Sequence, residues 1–340
     1  MKGKFLKDLF LAFMLVTVGL FLTGCSESAM RREAEVVINF AHVVNPRTPK
    51  GMAAEEFKRV LEERSDGRFY VSVYSDSVLG NDQEITELMM LNALHMNAPM
   101  SSTLTSFISE FEIFDLPYLF PSEEVAFEAL HGALGEKFDE LLREQNLVSL
   151  GYWSGGFRQL TNSVRPIEHP YDMDGLRMRV TQSPLLVTTF RALNAGGISV
   201  PFSELYMALQ MGTVDGQENP LANIATQRFY EVQTYMTMSD HNFVVFPVII
   251  SLEKYESLDE DMRLILREVA TEINEFAWNL NRAYDDEYLQ IIIDAGVNIS
   301  YFNDEAKADF RRITDAAWVQ FSQLPLGQSL IDIAESYANR

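Results

Sequence analysis

The sequence predicts an α/β protein with two lobes, and three observations lead to this expectation. The patterns of a strand, a helix and a strand follow one another at 36–40, 51–64 and 68–74. This order predicts a pair of parallel strands joined by a right-handed crossover. About 305 of the 340 residues follow residue 35, more than the roughly 100–200 residues typical of one domain. Residues 259–294 contain neither Gly nor Pro, and their amphipathic spacing predicts a helix about 50 Å long that could lie along both lobes.

The first lobe is expected to contain alternating helices and strands. Its aromatic segment at 111–120, with a Pro in the middle, is typical of core packing rather than of a binding site. Gly132 and Gly135 predict a break within the helical stretch 123–144. The other predicted elements of this lobe are a helix at 82–94 and strands at 96–100 and 147–153.

The second lobe is expected to begin where residues 159–166 cross over from the first. Ser183 and Pro184 are typical of a helix start, as N-cap and first helical residue. A long apolar run at 243–251 predicts a buried strand that returns to the first lobe. The other predicted elements are a strand at 176–180, helices at 184–193 and 203–211, and a loop at 212–220. We therefore predict a first lobe made of 36–156 and about 245–284, and a second made of 157–244 and about 285–340.

The beginning of the chain is typical of an exported protein. Three lysines within the first seven residues precede an almost wholly apolar run at 9–22. That run is shorter than the roughly 20 residues that a helix needs to span a bilayer. The pattern therefore predicts a signal peptide at 1–24 rather than a transmembrane anchor.

The end of this segment predicts a lipid anchor. The residues Leu-Thr-Gly-Cys at 22–25 resemble the bacterial lipobox, in which the Cys becomes the lipidated first residue of the mature protein. Cys25 is also the only cysteine of the chain, which rules out an intrachain disulfide. We expect an extracytoplasmic protein, in the periplasm or on the outer face of the cell membrane, held by a lipid on Cys25 and a short tether at 25–35.

Composition and motifs argue against several classes of protein. The net charge is −22, and it becomes −24 without residues 1–24. Such a chain lacks the clustered Lys and Arg that hold a phosphate backbone, so no nucleic-acid partner is predicted. The five histidines lack the spacing of a metal site, and the sequence has neither a nucleophile elbow nor a dinucleotide fingerprint. We therefore predict that the protein is not an enzyme and needs neither a metal nor a cofactor.

Three polar residues within 155–220 predict a site for a carboxylated small molecule. Arg158, Arg179 and Asn219 come from separate turns of this stretch. A guanidinium is always charged, and its planar fork matches the two oxygens of a carboxylate. Strand alternation places Arg177 on the same face as Arg179, so periodicity alone does not choose between these two arginines.

A second group of polar residues lies just after the first predicted strand. It contains His42, Asn45, Arg47 and Lys50. Ligands of open α/β sheets bind at the carboxyl ends of the strands. We therefore expect these side chains to face the site.

Five motifs follow one another through the central stretch. In order and spacing they resemble those of the solute-binding proteins of tripartite ATP-independent periplasmic (TRAP) transporters, the DctP family. The similarity extends from about Val36 to beyond Leu258. The motifs are Gly-Phe-Arg-Gln-Leu-Thr-Asn-Ser (156–163), Asp-Gly-Leu-Arg-Met-Arg-Val (174–180), Pro-Phe-Ser-Glu-Leu-Tyr-Met-Ala-Leu-Gln (201–210), Val-Asp-Gly-Gln-Glu-Asn-Pro (214–220) and Phe-Tyr-Glu-Val-Gln (229–233).

The resemblance implies both a fold and a function. It implies a two-lobed, periplasmic-binding-protein-like fold with a ligand cleft between the lobes and a long helix spanning both. Proteins of this family close around an organic acid and deliver it to the membrane permease subunits of a TRAP transporter. The resemblance also implies that Arg179 is the main carboxylate clamp, supported by Arg158 and Asn219, whereas Arg177 is a surface charge.

The ligand is expected to depend on the opposite wall of the cleft. Dicarboxylate receptors of the family commonly have Ala-Pro-Ser-Leu-Ala-Lys-Phe there, whereas this chain has Met100 at the Ser position and Thr103 at the Lys position. We expect Met100, Ser101 and Thr103 to contact the ligand, with Lys50, Arg47 or His42 supplying the missing positive charge. A four-carbon dicarboxylate is the favoured ligand. The alternatives are a sugar acid such as a uronate or aldonate, an oxo acid, or a role in presenting a ligand to a sensor kinase.

Overall fold

The computed structural model describes residues 30–339, so the predicted signal peptide, Cys25 and the start of the tether lie outside the described residues. Ten strands in this part of the chain form one mixed sheet whose main path follows the order β2-β1-β3-β9-β4-β7-β5-β6. Off this path, β8 pairs with both β4 and β10. The strands run Val36–Ala41 (β1), Phe69–Tyr74 (β2), Met96–Asn97 (β3), Leu147–Asn162 (β4), Arg177–Val180 (β5), Gly196–Ser199 (β6), Gly216–Pro220 (β7), Tyr235–Met238 (β8), Phe243–Ser251 (β9) and Asn298–Tyr301 (β10).

Helices cover the sheet, as expected for an α/β protein. Short 3-10 turns connect several of them, including Ser101–Leu104 and Ser109–Asp115. No helix within residues 30–339 is long and apolar enough to cross a bilayer. The helices run Pro49–Arg64 (α1), Asp82–Met90 (α2), Glu123–Leu130 (α3), Ala133–Glu144 (α4), Pro184–Ala192 (α5), Leu205–Gln210 (α6), Leu221–Thr226 (α7), Leu252–Glu256 (α8), Glu260–Asp294 (α9), Asp304–Ile313 (α10), Asp315–Ser322 (α11) and Gly327–Ala338 (α12).

The predicted strand–helix–strand opening is confirmed. Strands β1 and β2 pair in parallel over six residues each, and α1 connects them. Thr48 caps α1 by accepting a hydrogen bond from the amide of Gly51, and Pro49 occupies the first helical position. The carboxyl end of β1 therefore leads directly into the segment that carries His42 and Lys50.

Strand β4 is shared by two halves of the sheet. Its residues 147–157 pair with β9, whereas residues 158–162 pair with β7. We call the half with β1, β2, β3 and β9 the first lobe, and the half with β5, β6, β7, β8 and β10 the second lobe. The change of partner falls between Phe157 and Arg158, next to the lobe boundary predicted from the sequence.

The long helix α9 lies along both lobes, as predicted. Met262, Leu266 and Ile273 belong to a hydrophobic cluster with β1 and α1 of the first lobe. Tyr288 and Ile292, near the other end of α9, belong to a cluster with α6 and α7 of the second lobe. The 35 residues of α9 thus contribute side chains to the cores of both lobes.

The C-terminal helices differ from the predicted division of the chain. Residues 285–340 were assigned as a whole to the second lobe, but Phe321, Leu330 and Ile331 pack in a cluster with Phe111 and Phe138 of the first lobe. The apolar face of α12 accounts for this position because it covers α3, α4 and the 3-10 turn before α3, whereas α11 packs on α5 and on the same turn.

Several predicted boundaries were wrong for local reasons. The predicted loop at 212–220 ends in strand β7, because pairing with β4 and β5 overrides its Gly, Asn and Pro content. The predicted crossing at 159–166 is still strand as far as Asn162. The predicted strand at 96–100 contains only Met96 and Asn97, and the chain then turns into the 3-10 helix Ser101–Leu104.

Candidate functional site

A cavity lies where the two lobes face each other. It encloses about 460 Å³ of empty space including its mouth. Both walls contribute charged groups, because Lys50 and Asp82 come from the first lobe and Arg179 from the second. The other lining residues that matter below are Met100, Thr103, Phe246, Thr181, Phe202 and Asn223.

Arg179 is the buried cation of the second-lobe wall. Strand β5 places it there, and its side chain is only 2 % exposed. Its Nε and Nη2 both donate to the carbonyl oxygen of Val200, at 2.9 and 2.7 Å, and its Nη1 lies 3.4 Å from Thr181 Oγ1. Burial lowers its pKa to about 10, although the charge of Glu218 partly opposes this shift.

Arg179 has no acidic partner in the part of the chain that the structure describes. No carboxylate oxygen of residues 30–339 lies within 4.0 Å of its guanidinium. A buried charge without a counter-charge is costly. The guanidinium therefore forms a site prepared for an anion, and its fork suits a carboxylate.

Arg177 provides the contrast within the same strand. Its side chain is about half exposed, its Nη2 lies 2.6 Å from Asp215, and it donates to the carbonyl oxygen of Gly212 at 2.8 Å. Asp215 thus neutralises the charge of Arg177 at the protein surface. The predicted choice between the two arginines thus agrees with their burial, because only Arg179 lines the cavity.

Arg158 is buried as deeply as Arg179 but has acidic partners for its guanidinium, although its Nε makes no hydrogen bond. Its Nη1 lies 2.7 Å from both carboxylate oxygens of Glu218, which β7 presents beside β4. Its Nη2 donates to Ser102 Oγ at 2.9 Å and to Met100 Sδ at 3.1 Å, and lies 3.7 Å from Asp115. Arg158 does not line the cavity but connects the two lobes behind Met100.

Asn219 also lies one layer behind the cavity wall. Its side-chain Nδ2 donates to Gln217 Oε1, and its Oδ1 accepts from Asn223 Nδ2 at 2.9 Å. Asn223 lines the cavity, whereas Asn219 does not. Asn219 therefore positions the amide of Asn223, four residues later on α7. Direct contact of Arg158 or Asn219 with a ligand remains a prediction.

Lys50 supplies the cation of the first-lobe wall. It is buried, donates from Nζ to the carbonyl oxygen of Ala98 at 2.9 Å, and lies 4.0 Å from the ring centre of Phe246. Burial lowers its pKa to about 8, although the charge of Asp82 opposes the shift. No carboxylate of the described residues lies within 4.0 Å of it, so a second buried cation borders the cavity.

The other predicted residues of this wall fall into three groups. Met100 and Thr103 line the cavity, and Thr103 Oγ1 donates to the Met100 carbonyl at 2.7 Å. Ser101 is buried outside the lining, as is His42. Burial and the charge of Lys50 lower the pKa of His42 to about 3, which keeps its ring neutral. Arg47 lies in a separate surface groove beside α9.

Several residues that line the cavity were not predicted from the sequence. Asp82 opens α2, directly after the N-cap residue Asn81, so it had only the pattern of a helix start. Phe202 and Phe246 were indistinguishable from core aromatics. Asn223 lies on α7, whereas Asn219 lies in strand β7, so no helical spacing in the sequence connects the two. Within residues 30–339 no group of three or more His, Cys, Asp or Glu could hold a metal ion.

Known proteins share this architecture and sequence. The chain matches the family described as bacterial extracellular solute-binding protein, family 7 (DctP), over residues 40–324. The C4-dicarboxylate-binding periplasmic protein DctP of Rhodobacter capsulatus is 35% identical, with 77% of this chain and 78% of the relative covered.

Two solved structures show the range of ligands. The sugar acid binding protein DctPAm of Advenella mimigardefordensis, in complex with galactonate, has a TM-score of 0.86 and 30% identity, covering 89% of this chain and 98% of that one. A TRAP periplasmic solute binding protein of Sulfurospirillum deleyianum, with bound succinate, has a TM-score of 0.85 and 32% identity, covering 89% and 99%. These proteins are binding receptors rather than enzymes. The chain described here belongs to the DctP family of bacterial extracellular solute-binding proteins.

Proposed function

We propose that this chain is the extracytoplasmic receptor of a TRAP transporter, which captures an organic acid and delivers it to the membrane permease subunits. The observation that carries the proposal is the buried guanidinium of Arg179, which faces the cavity without an acidic partner among residues 30–339. A ligand carboxylate would supply the missing counter-charge and accept two hydrogen bonds at once. The family membership and the solved relatives support a small organic anion in this position.

Capture works by closure of the two lobes over the ligand. Contacts between the lobes support a closed state: Arg158 donates to Ser102, and the hydroxyl of Tyr118 donates to the carbonyl oxygen of Ser239 at 3.2 Å. The hydroxyl of Tyr288 on α9 also donates to the carbonyl oxygen of Arg47 at 2.7 Å. A ligand shifts the protein towards this state only if it binds better there than in an open one. Arg179 and Lys50, on opposite walls, provide such contacts.

A four-carbon dicarboxylate is the first ligand to test. The Rhodobacter capsulatus relative is named for this class, and Lys50 gives the cavity a second buried cation in place of the missing Lys at position 103. Sugar acids are the alternative suggested by the galactonate-bound relative. Oxo acids are a third class with the same carboxylate chemistry.

The lipid anchor at Cys25 belongs to the same proposal. It rests on the Leu-Thr-Gly-Cys pattern at 22–25 and on the uniqueness of this cysteine. Mass spectrometry of the N-terminal peptide from membrane-extracted protein should show a lipid-modified Cys25. An unmodified N-terminal peptide would contradict the proposed lipid anchor but would leave the proposed receptor function untouched.

A thermal-shift screen tests the proposed receptor. The purified chain without residues 1–25 should unfold at a higher temperature with one of several four-carbon dicarboxylates, uronates, aldonates or short oxo acids, because a ligand that binds only the folded state stabilises it. The matched control is the best acid with every carboxyl group converted to an amide, since this keeps the size but removes the charge. If no acid shifts the transition more than its uncharged analogue does, the proposal is wrong.

A further inference from the structure

Asp82 is an unexpected acid in a cavity prepared for an anion. It is 5 % exposed and lines the cavity from the first turn of α2. Its Oδ2 accepts a hydrogen bond from the amide of Met100 at 3.2 Å, whereas its Oδ1 has no hydrogen-bond partner. The helix does not need this carboxylate as a cap, because Asn81 already accepts from the amides of Gln83 and Glu84.

The unpartnered oxygen needs a hydrogen-bond donor. A buried polar atom left unpaired destabilises the protein, and more so when it is charged. Burial raises the pKa of Asp82, while Lys50 and the Met100 amide oppose that rise. Asn97 also lies close enough to favour the charged form, yet its amide forms no hydrogen bond of normal geometry with Asp82. Neither Asn97 nor Lys50 makes this hydrogen bond in normal geometry, so a molecule in the cavity can supply the donor.

Lys50 lines the same wall as Asp82 and is a hydrogen-bond donor, whereas Asp82 is an acceptor. An ammonium carries three donors, and one of those of Lys50 is used by the carbonyl oxygen of Ala98. The first-lobe wall thus presents an acceptor and a donor together. A hydroxyl group matches both, since it donates one hydrogen bond and accepts others.

The charges that line the cavity lead to the same conclusion. Arg179 and Lys50 are positive and Asp82 is negative, so one positive charge is left over. One ligand carboxylate on Arg179 balances it. A second carboxylate placed against Asp82 would lie beside a like charge, whereas a hydroxyl there meets no such repulsion.

We propose that Asp82 and Lys50 recognise a hydroxyl group of the ligand, so that the receptor prefers hydroxy acids over the corresponding acids without the hydroxyl. The inference rests on the proposed receptor function and narrows its ligand class. It covers hydroxylated four-carbon acids and sugar acids alike, since both carry a carboxylate for Arg179 and a hydroxyl for Asp82. It disfavours ligands that have carboxylates alone.

Matched acids test this preference. L- and D-malate differ from succinate by one hydroxyl, and 3-hydroxybutyrate differs from butyrate in the same way. By isothermal titration calorimetry, the hydroxylated member of at least one pair should bind about 10-fold or more tightly, because a hydrogen bond to a charged group is worth about 1.5–3 kcal/mol. Equal affinity for both members of every pair would overturn the inference.

The variant Asp82→Asn identifies the residue responsible. An amide oxygen can still accept from Met100, so the variant should fold, with an unfolding temperature close to that of wild type. Its preference for the hydroxylated acid should fall to within about 3-fold, since the charged acceptor is lost. Glu87→Gln, an exposed acid on the same helix, is the control and should keep the wild-type preference.

The outcomes separate this inference from the receptor proposal. If Asp82→Asn keeps the full preference, Asp82 does not recognise the hydroxyl, while acid binding still supports a receptor. If the wild-type protein binds none of the acids, the proposed receptor function fails, and the inference fails with it.

Discussion

Two buried arginines near the centre of the molecule have opposite surroundings. Arg158 connects the lobes and has Glu218 at 2.7 Å and Asp115 at 3.7 Å. Arg179 borders the cavity and has only the carbonyl oxygen of Val200 and the hydroxyl of Thr181 as partners. The charge of one guanidinium is therefore neutralised by the protein, and that of the other is left for a ligand.

The difference matches two tasks of the proposed receptor, which are joining the lobes and binding the ligand. Partners from both lobes surround Arg158, with Glu218 from the second and Ser102 from the first. Its contacts join the two lobes through the protein's own groups. In the proposed receptor, the charge of Arg179 gains a direct counter-charge when an anion enters the cavity, so its contribution to closure would depend on the ligand.

The largest expected effect on stability comes from Arg158→Ala. The change leaves the carboxylates of Glu218 and Asp115 buried without their cation, and breaking a buried pair in this way costs about 3–5 kcal/mol. Urea denaturation should show a loss of this size. Arg177→Ala, which removes an exposed ion pair, should cost no more than about 1 kcal/mol. Equal losses in the two variants would mean that the Arg158 pairs do not stabilise the fold.

Lys50→Met should have a smaller, pH-dependent effect. The folded pKa of Lys50 is about 8, below its ordinary value of 10.5. Below pH 8 Lys50 is protonated in both the folded and the unfolded state, so the folded state carries the full free-energy cost of burying its charge. Between pH 8 and 10.5 the unfolded state binds more protons, so the cost is relieved by up to about 1.4 kcal/mol per pH unit.

The test is the difference in unfolding free energy between Lys50→Met and wild type from pH 7 to 10.5. The variant should be the more stable protein at pH 7, and its advantage should shrink as the pH rises above 8. A constant difference across this range would show that Lys50 is not a charged, unpaired residue in the native state.

The smallest expected effect on stability is that of Arg179→Met without ligand. Replacing a buried, unpaired cation by an apolar side chain of similar length is often neutral or stabilising. The free energy of unfolding should therefore stay within about 1 kcal/mol of wild type, or rise. A loss as large as that of Arg158→Ala would show that Arg179 is a structural residue and would remove the contrast between the two.

The sequence allowed the fold to be predicted where its signals are local. The parallel β1–β2 pair, the helix α1 and the long helix α9 all follow from spacing and capping. Strand β7 could not be predicted in this way, because its residues resemble a turn and become strand only by pairing with β4 and β5. The docking of α12 on the first lobe is likewise a contact between distant parts of the chain.

Some residues of the cavity could be predicted from the sequence, but others and the pairing of the buried charges could not. Arg179, Lys50, Met100 and Thr103 line the cavity, and their contact with a ligand remains a prediction. The pairing of Arg158 with Glu218 depends on the β4–β7 register, which leaves no local signal in the sequence. Asp82 had the pattern of an ordinary helix start, and only its position in the cavity gives it significance.

Calorimetric titration of Arg179→Ala tests the central claim most directly. The titrant is the acid that stabilises the wild-type protein most, and Arg177→Ala serves as the matched control in the same strand. Arg179→Ala should bind at least about 100-fold more weakly, because the carboxylate loses a bidentate, charge-assisted partner. Arg177→Ala should bind within about 2-fold of wild type, since Arg177 is outside the cavity. If Arg179→Ala binds as tightly as wild type, the unpaired guanidinium is not the ligand's anchor and the account is wrong.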